Sequence, residues 1–242
     1  MTPTLLAFDT ATEHLSIALA VRGEVLVHGG PGGAQASATL LPAILALLAE
    51  AGVTLQTLDA IAFGRGPGAF TGLRTACSVA QGLAFGAGKP VLPIDTLLAV
   101  AEDACRDDRS PGPVWAVMDA RMDEIYAAQY LLAAGGWSVL DAPMLTSPSA
   151  LGERWQAAPP RHVAGNALTA FGDRLQPGAA RRSPGALPRA RAILPLARAL
   201  WATDEDVDTA LALPLYLRDK VAQTTAERAA VRAAKDALER SP

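Results

Sequence analysis

The chain has 242 residues, half of them apolar, and a formal net charge of −3. That is ample material for one large or two small hydrophobic cores, and it leaves no general positive field to hold a polyanion, which excludes tight independent binding to nucleic acid. Cys77 and Cys105 fit no paired metal spacing and His14, His28 and His162 are too scattered for a zinc site, so both thiols read as packing residues of a reducing compartment.

The N-terminus has no basic region and reaches Asp9 after a short apolar run, which argues against a signal peptide. Thr4 to Phe8 reads as a buried strand ending at Asp9-Thr10-Ala11-Thr12, Leu15 to Val21 as a second strand, and Glu24 to His28 as a third after the Gly23 turn. A Gly-rich loop, Gly29 to Gly33, leads to a helix from about Thr39 to Ala51, with Pro42 tolerated in its first turn. The longest apolar stretch, Leu40 to Ala49, contains that proline and falls short of the roughly 20 residues that span a bilayer, so no membrane association and a cytoplasmic location are expected.

Leu58 to Phe63 is a further strand, and it runs into Gly64-Arg65-Gly66-Pro67-Gly68-Ala69-Phe70-Thr71-Gly72-Leu73-Arg74. Thr71 is placed to cap the helix that follows, leaving backbone N–H groups near Gly66 to Gly72 free for an anion at the positive end of the helix dipole. A Walker loop would need Lys followed by Ser or Thr where Leu73 and Arg74 stand, and a dinucleotide fingerprint would need glycine at Ala69. Two readings remain, an anion seat and a tight turn that lets strand and helix pack closely. The helix continues to about Phe85, and a strand from Pro90 to Ile94 completes a β-β-β-α-β-α-β unit, after which Asp95-Thr96 starts another helix to about Ala104.

After a polar break from Arg106 to Pro113 the opening recurs. Trp115 to Gln129 aligns with Leu5 to Leu19 when Asp119 is laid on Asp9: an apolar strand, an acid at its end, a polar turn, a second strand. Trp137 to Leu140 supplies a third strand, Ser147 to Gln156 a helix, Arg161 to Gly165 a strand and Thr169 to Leu175 a short helix. The order suggests an α/β, actin-like (ASKHA) duplicated fold of two β-β-β-α-β-α subdomains. Residues 1–104 would form the first, joined by a C-terminal helix over 221–240, and residues 105–220 the second. Pro177 to Pro188 is a mobile loop by composition, with Arg181, Arg182, Arg189 and Arg191 clustered around it, read as a solvated turn or a minor RNA or partner contact. Ala190 to Ala202 is helical despite Pro195, and Ala222 to Arg240 is an Ala-rich helix with few apolar anchors.

Ala7 to Thr12, the Leu40-Leu41-Pro42 helix start, the Gly64 to Arg74 loop, Asp119-Ala120-Arg121 with Glu124 and Tyr126, and Pro214-Leu215-Tyr216-Leu217-Arg218 together resemble the bacterial TsaB (YeaZ) family. The resemblance implies an actin-like fold and a place in the cytosolic machinery that makes threonylcarbamoyladenosine beside the tRNA anticodon. It implies a non-catalytic partner of the metal-bearing transferase TsaD, with the ATPase TsaE joining the pair and tRNA reached only through the complex. The TsaD-like relatives hold their metal with a His-x-x-x-His pair, and the matching positions here are about Thr96 and Val100. Neither side chain replaces imidazole, so no metal site and no required cofactor are expected. No Ser-His-Asp or Cys-His set stands out to supply a peptidase mechanism. Ala36 stands where the family usually has histidine.

Two functional hypotheses follow. As a scaffold, the chain would pair with a TsaD-like protein, or with itself when alone, through two helices. Leu41, Ile44, Leu45 and Leu48 lie on the first, and Leu73, Ser78, Val79, Gly82 and Gly86 on the second. The first carries more apolar surface than one sheet face requires, and on the second Ser78, Gly82 and Gly86 form a flat strip. Burial between the sheet and each other is the alternative for both helices. As an actin- or sugar-kinase-like enzyme, the chain would bring Asp9, Thr10, Thr12 and Asp119, with Gly66 and Gly68, to ATP. Weak residual nucleotide binding is compatible with either hypothesis.

Overall fold

The computed structural model describes residues 2–203 and 212–218. β1 (Leu5–Asp9), β2 (His14–Val21) and β3 (Glu24–Pro31) form an antiparallel meander, followed by α1 (Ala36–Glu50), β4 (Ala60–Gly66), α2 (Phe70–Ala87), β5 (Val91–Asp95) and α3 (Thr96–Ala104). The pattern restarts with β6 (Gly112–Arg121), β7 (Glu124–Ala133), β8 (Gly136–Thr146), α4 (Pro148–Ala157), β9 (His162–Ala164), α5 (Ala167–Phe171), β10 (Arg181–Ser183) and α6 (Ala190–Ala202).

Each half builds a five-stranded sheet, in the orders β3-β2-β1-β4-β5 and β10-β9-β6-β7-β8. Read from the third strand of each meander, the two orders are the same. In both halves the first three strands pair antiparallel and the last two add in parallel. This is the α/β, actin-like duplicated architecture that the recurrence of Asp9 at Asp119 suggests.

The first sheet is covered on both faces, which is why β1, β2 and β4 read as nearly continuous apolar runs. Leu6, Phe8, Ile17, Leu19, Ile61 and Phe63 face α1 and α2. On the other side Leu5, Ala7, Ala18, Ala20, Ala60 and Ala62 face Ile193, Leu194 and Ala197 of α6. Alanines dominate that second face, so the helix can lie close to the sheet. The second sheet has a core against α3, built from Leu97, Val100, Met118, Tyr126 and Tyr130. Its other core lies under α4 and α5, where Trp115 meets Trp155 edge to face.

Several expectations need correction. α1 begins at Ala36, three residues before Thr39, and β3 runs on to Pro31 through much of the expected Gly29 to Gly33 loop. α2 begins at Phe70 with Ala69 as its N-cap and no side-chain cap, so Thr71 lies inside the first turn and caps nothing. The Pro177 to Pro188 segment contains β10, an edge strand paired in parallel with β9, because the carbonyl and N–H groups of β9 are open to a neighbour there. α6, expected in the 105–220 subdomain, packs on the first sheet. The helix expected over 222–240 lies outside the described residues. Gly33–Glu50 is apolar and long enough by composition to cross a membrane, contrary to the expectation drawn from Leu40 to Ala49. Its apolarity has two sources, a face of Ala36, Leu40, Ile44, Leu47 and Leu48 in the core and two leucines on the opposite face.

Candidate functional site

The ends of β1 and β6 meet across the groove between the two lobes. At the end of β1 the Asp9 carboxylate accepts the Ala11 N–H at 2.8 Å, and at the end of β6 Asp119 accepts the Arg121 N–H at the same distance. The acid in each half therefore closes its own turn two residues on. Beyond this shared device the two diverge. Asp119 lines the groove, whereas Asp9 is fully buried and its second carboxylate oxygen lies 3.4 Å from the Thr96 hydroxyl. Burial pushes the Asp9 carboxyl up to about 7, against the smaller pull of its hydrogen bonds from Ala11 and Thr96. No room is left around it, since a β-carbon at Gly64 would overlap the carboxylate.

The glycine loop is explained by close packing. A β-carbon at Gly68 would lie 2.6 Å from that of Ala11, and one at Gly72 would overlap the Thr10 carbonyl oxygen. The Thr10 hydroxyl donates to the Gly72 carbonyl at 2.8 Å and Ala69 N–H donates to Ala11 O at 2.8 Å, so the start of α2 is bound directly to the β1–β2 turn. Gly66 N–H donates to Thr96 Oγ1 at 3.0 Å. Two of the N–H groups offered to an anion, those of Gly66 and Ala69, are thus already used.

Of the six residues considered for nucleotide contact, Thr12, Gly68 and Asp119 line a cavity of about 90 Å³, completed by Arg121, Tyr126 and Asn166 among others. Asp9 and Thr10 are buried behind it and Gly66 is buried in the strand end, so none of these three lines it. Beside it lies a second cavity of about 200 Å³, bounded by Phe70, Leu73, Met122 and the segment Leu215 to Arg218. Small-molecule sites run to about 300–1,000 Å³.

That segment crosses from one lobe to the other. The Ala212 carbonyl accepts from Cys77 Sγ and Gln81 Nε2 on α2, Leu215 N–H donates to Arg65 O at 2.7 Å, and Tyr216 packs on Phe70 with ring centroids 5.2 Å apart. Arg218 then reaches the second lobe, donating to Ala120 O at 3.0 Å and pairing with Glu124 at 2.6 Å. The Pro214 to Arg218 motif is visible in the sequence, but its bridging role depends on contacts more than 90 residues away along the chain.

A Cys-His contact is also present, which sequence reasoning missed. Cys105 Sγ lies 3.9 Å from His162 Nδ1, and His162 Nε2 lies 2.9 Å from Ser183 Oγ. Burial pushes the Cys105 thiol up and pulls the His162 imidazole down, and both side chains are inside the protein. Both shifts favour the uncharged forms of thiol and imidazole, the opposite of what activates a nucleophile.

The residues considered for partner contact divide by face. Ile44, Leu48 and Leu73 are buried, because the helical period turns them toward the sheet or under the loop, and they cannot meet a partner directly. Leu41 and Leu45 are exposed on α1, and Ser78, Gly82 and Gly86 are exposed on the adjoining α2, with Val79 half-buried. Phe85 joins this side at 85% exposure. Ala36 lies fully buried at the start of α1. Of the two positions that the resemblance sets at about the metal-binding histidines, Thr96 serves Gly66 and Asp9, and Val100 is packed in the α3 core.

Residues 32–152 match the family described as TsaD: tRNA N6-adenosine threonylcarbamoyltransferase. The chain is 47% identical over 126 residues to the tRNA threonylcarbamoyladenosine biosynthesis protein TsaB of Haemophilus influenzae, a match covering 52% of this chain and 53% of that one. With the protein of that name from Escherichia coli it is 35% identical over 233 residues, 90% of this chain and 96% of the other. The chain belongs to the TsaB family. Among solved structures, YeaZ from Pseudomonas aeruginosa superposes with a TM-score of 0.80 at 40% identity, over 89% of this chain and all of that one. For this TsaB-family member the TsaD-type match spans α1, the glycine loop and the second meander.

Proposed function

We propose that the chain acts in tRNA threonylcarbamoyladenosine biosynthesis as a non-catalytic subunit that binds a TsaD-type transferase. A TsaE-type ATPase would join the pair, tRNA would be contacted only through the complex, and the chain would pair with itself when alone. The observation that carries this reading is the outer side of α1 and α2, where Leu41, Leu45 and Phe85 are exposed and a β-carbon at Gly82 or Gly86 would meet nothing within 4 Å. Apolar side chains beside a bare glycine strip suit a second helix pair arriving at close range. Family membership supports the pathway, and the use of Thr96 and Val100 in packing supports the subunit role.

Mixing the purified chain with a TsaD-type protein should give a heterodimer on size exclusion and restore modification of tRNA. Leu45→Glu and Gly82→Arg should each weaken that pairing by at least about tenfold, ~1.4 kcal/mol, while thermal unfolding of the isolated chain stays unchanged. Unaltered pairing in both variants, or threonylcarbamoyl transfer by the chain alone, would overturn the proposal.

A further inference from the structure

A larger cavity, of about 570 Å³, adjoins the inter-lobe groove at Thr12 and extends to where the N-terminus of α6 approaches the outer part of the first sheet. We propose that it binds a small molecule carrying an anionic group on an apolar body. This inference does not depend on the partner role. The floor is set by register: Ser16 pairs with Gly29 and Ala18 with Val27, so Ser16, Gly29 and Val27 share the face that α6 covers. Ser16 and Gly29 are too small to fill the space in front of the helix, and Val27 remains half exposed. Leu187 and Pro188 form an apolar wall.

Three arginines from two places in the chain line the same cavity. Arg106 follows α3, Arg189 is the N-cap of α6, and Arg191 lies in its first turn. Arg189 is held by Asp103 and the Gly185 carbonyl, and Arg106 is paired with Asp107 on the surface at 3.3 Å. Arg191 has no acidic partner among the described residues and supplies the positive excess. His14, two residues before Ser16 and on the same face of the strand, completes the polar lining. The volume falls within the range of small-molecule sites, and an oriented arginine beside an unpaired one suits a phosphate or carboxylate.

The test is fluorescence titration of the full chain with 1-naphthyl phosphate, alongside 1-naphthoate, 1-naphthol and inorganic phosphate. Saturable binding of the phosphate or carboxylate probe, at least about tenfold tighter than 1-naphthol or inorganic phosphate, is expected. Which of the two binds identifies the anion. Arg191→Ala should weaken binding about tenfold, Val27→Trp should abolish it by filling the floor, and Asn166→Ala in the inter-lobe groove should leave it unchanged. Thermal unfolding of each variant separates loss of the site from loss of the fold. No saturation by either anionic probe at about 5 mM would overturn the inference. Binding that survives both Arg191→Ala and Val27→Trp, or disappears with Asn166→Ala, would overturn it as well.

Discussion

Asp9 is the residue whose chemistry differs most from what its position in the sequence suggests. A carboxylate at the end of the first strand of such a fold is a natural candidate for nucleotide and metal contact, yet here it is buried and holds its proton to about pH 7. Its folded pKa lies above the unfolded value of 3.8, so the native state binds more protons between those limits. The stabilisation is full below about pH 4 and is lost as pH rises through about 7. Asp9→Asn keeps the acceptor for Ala11 N–H and removes the ionisation. Urea unfolding should show the variant gaining on the wild type from pH 4.5 to pH 8, by on the order of a few kcal/mol. Parallel stability curves for the two proteins would show that burial of Asp9 carries no such linkage. Gly72 makes the complementary case. Gly72→Ala would drive α2 off the Thr10 carbonyl, and a loss of about 1–3 kcal/mol is expected, lowering the thermal midpoint by about 2–4 °C per kcal/mol.

At the scale of elements, the Ala212 to Arg218 segment holds two lobes together with few residues. Arg218 makes charge-assisted hydrogen bonds to Ala120 O and pairs with Glu124. Arg218→Ala should cost about 1.5–3 kcal/mol in denaturant unfolding. It should also raise the hydrogen-exchange rate of the Leu215 amide, which is bonded to Arg65 O. An unchanged exchange rate would mean that the segment is fixed from the α2 side alone. The same scale shows what could be read from the chain. The strands and helices of the first half were legible because apolar runs of strand length alternate with helix-length ones between clear glycine turns. β10 was not, because three residues, Arg181–Ser183, carry no alternation and owe their strand state to the open edge of β9. The start of α1 was displaced because the 3-10 turn over Gly33–Gln35 leads straight into Ala36 without a capping side chain.

For the molecule as a whole, the duplication was legible from Asp9 and Asp119, whose turn hydrogen bonds match. The candidate site was legible only in part. Thr12, Gly68 and Asp119 do meet in the groove, but burial of Asp9 and the Cys105–His162 contact arise from tertiary packing that no local pattern encodes. The placement of α6 has the same origin, since its amphipathic pattern is compatible with either sheet. Its observed seat on Leu5, Ala7, Ala18 and Ala20 means that the first sheet is completed by a helix almost 200 residues downstream in the chain. A fragment of residues 1–188 should therefore expose that alanine-rich face, bind a hydrophobic dye and lose cooperative unfolding. Cooperative melting of the fragment at the full-length midpoint would count against this. On the ribosome, residues near the amino end would wait with one side bare until Ala190–Ala202 leaves the exit tunnel, so the first lobe cannot finish folding as its own strands emerge.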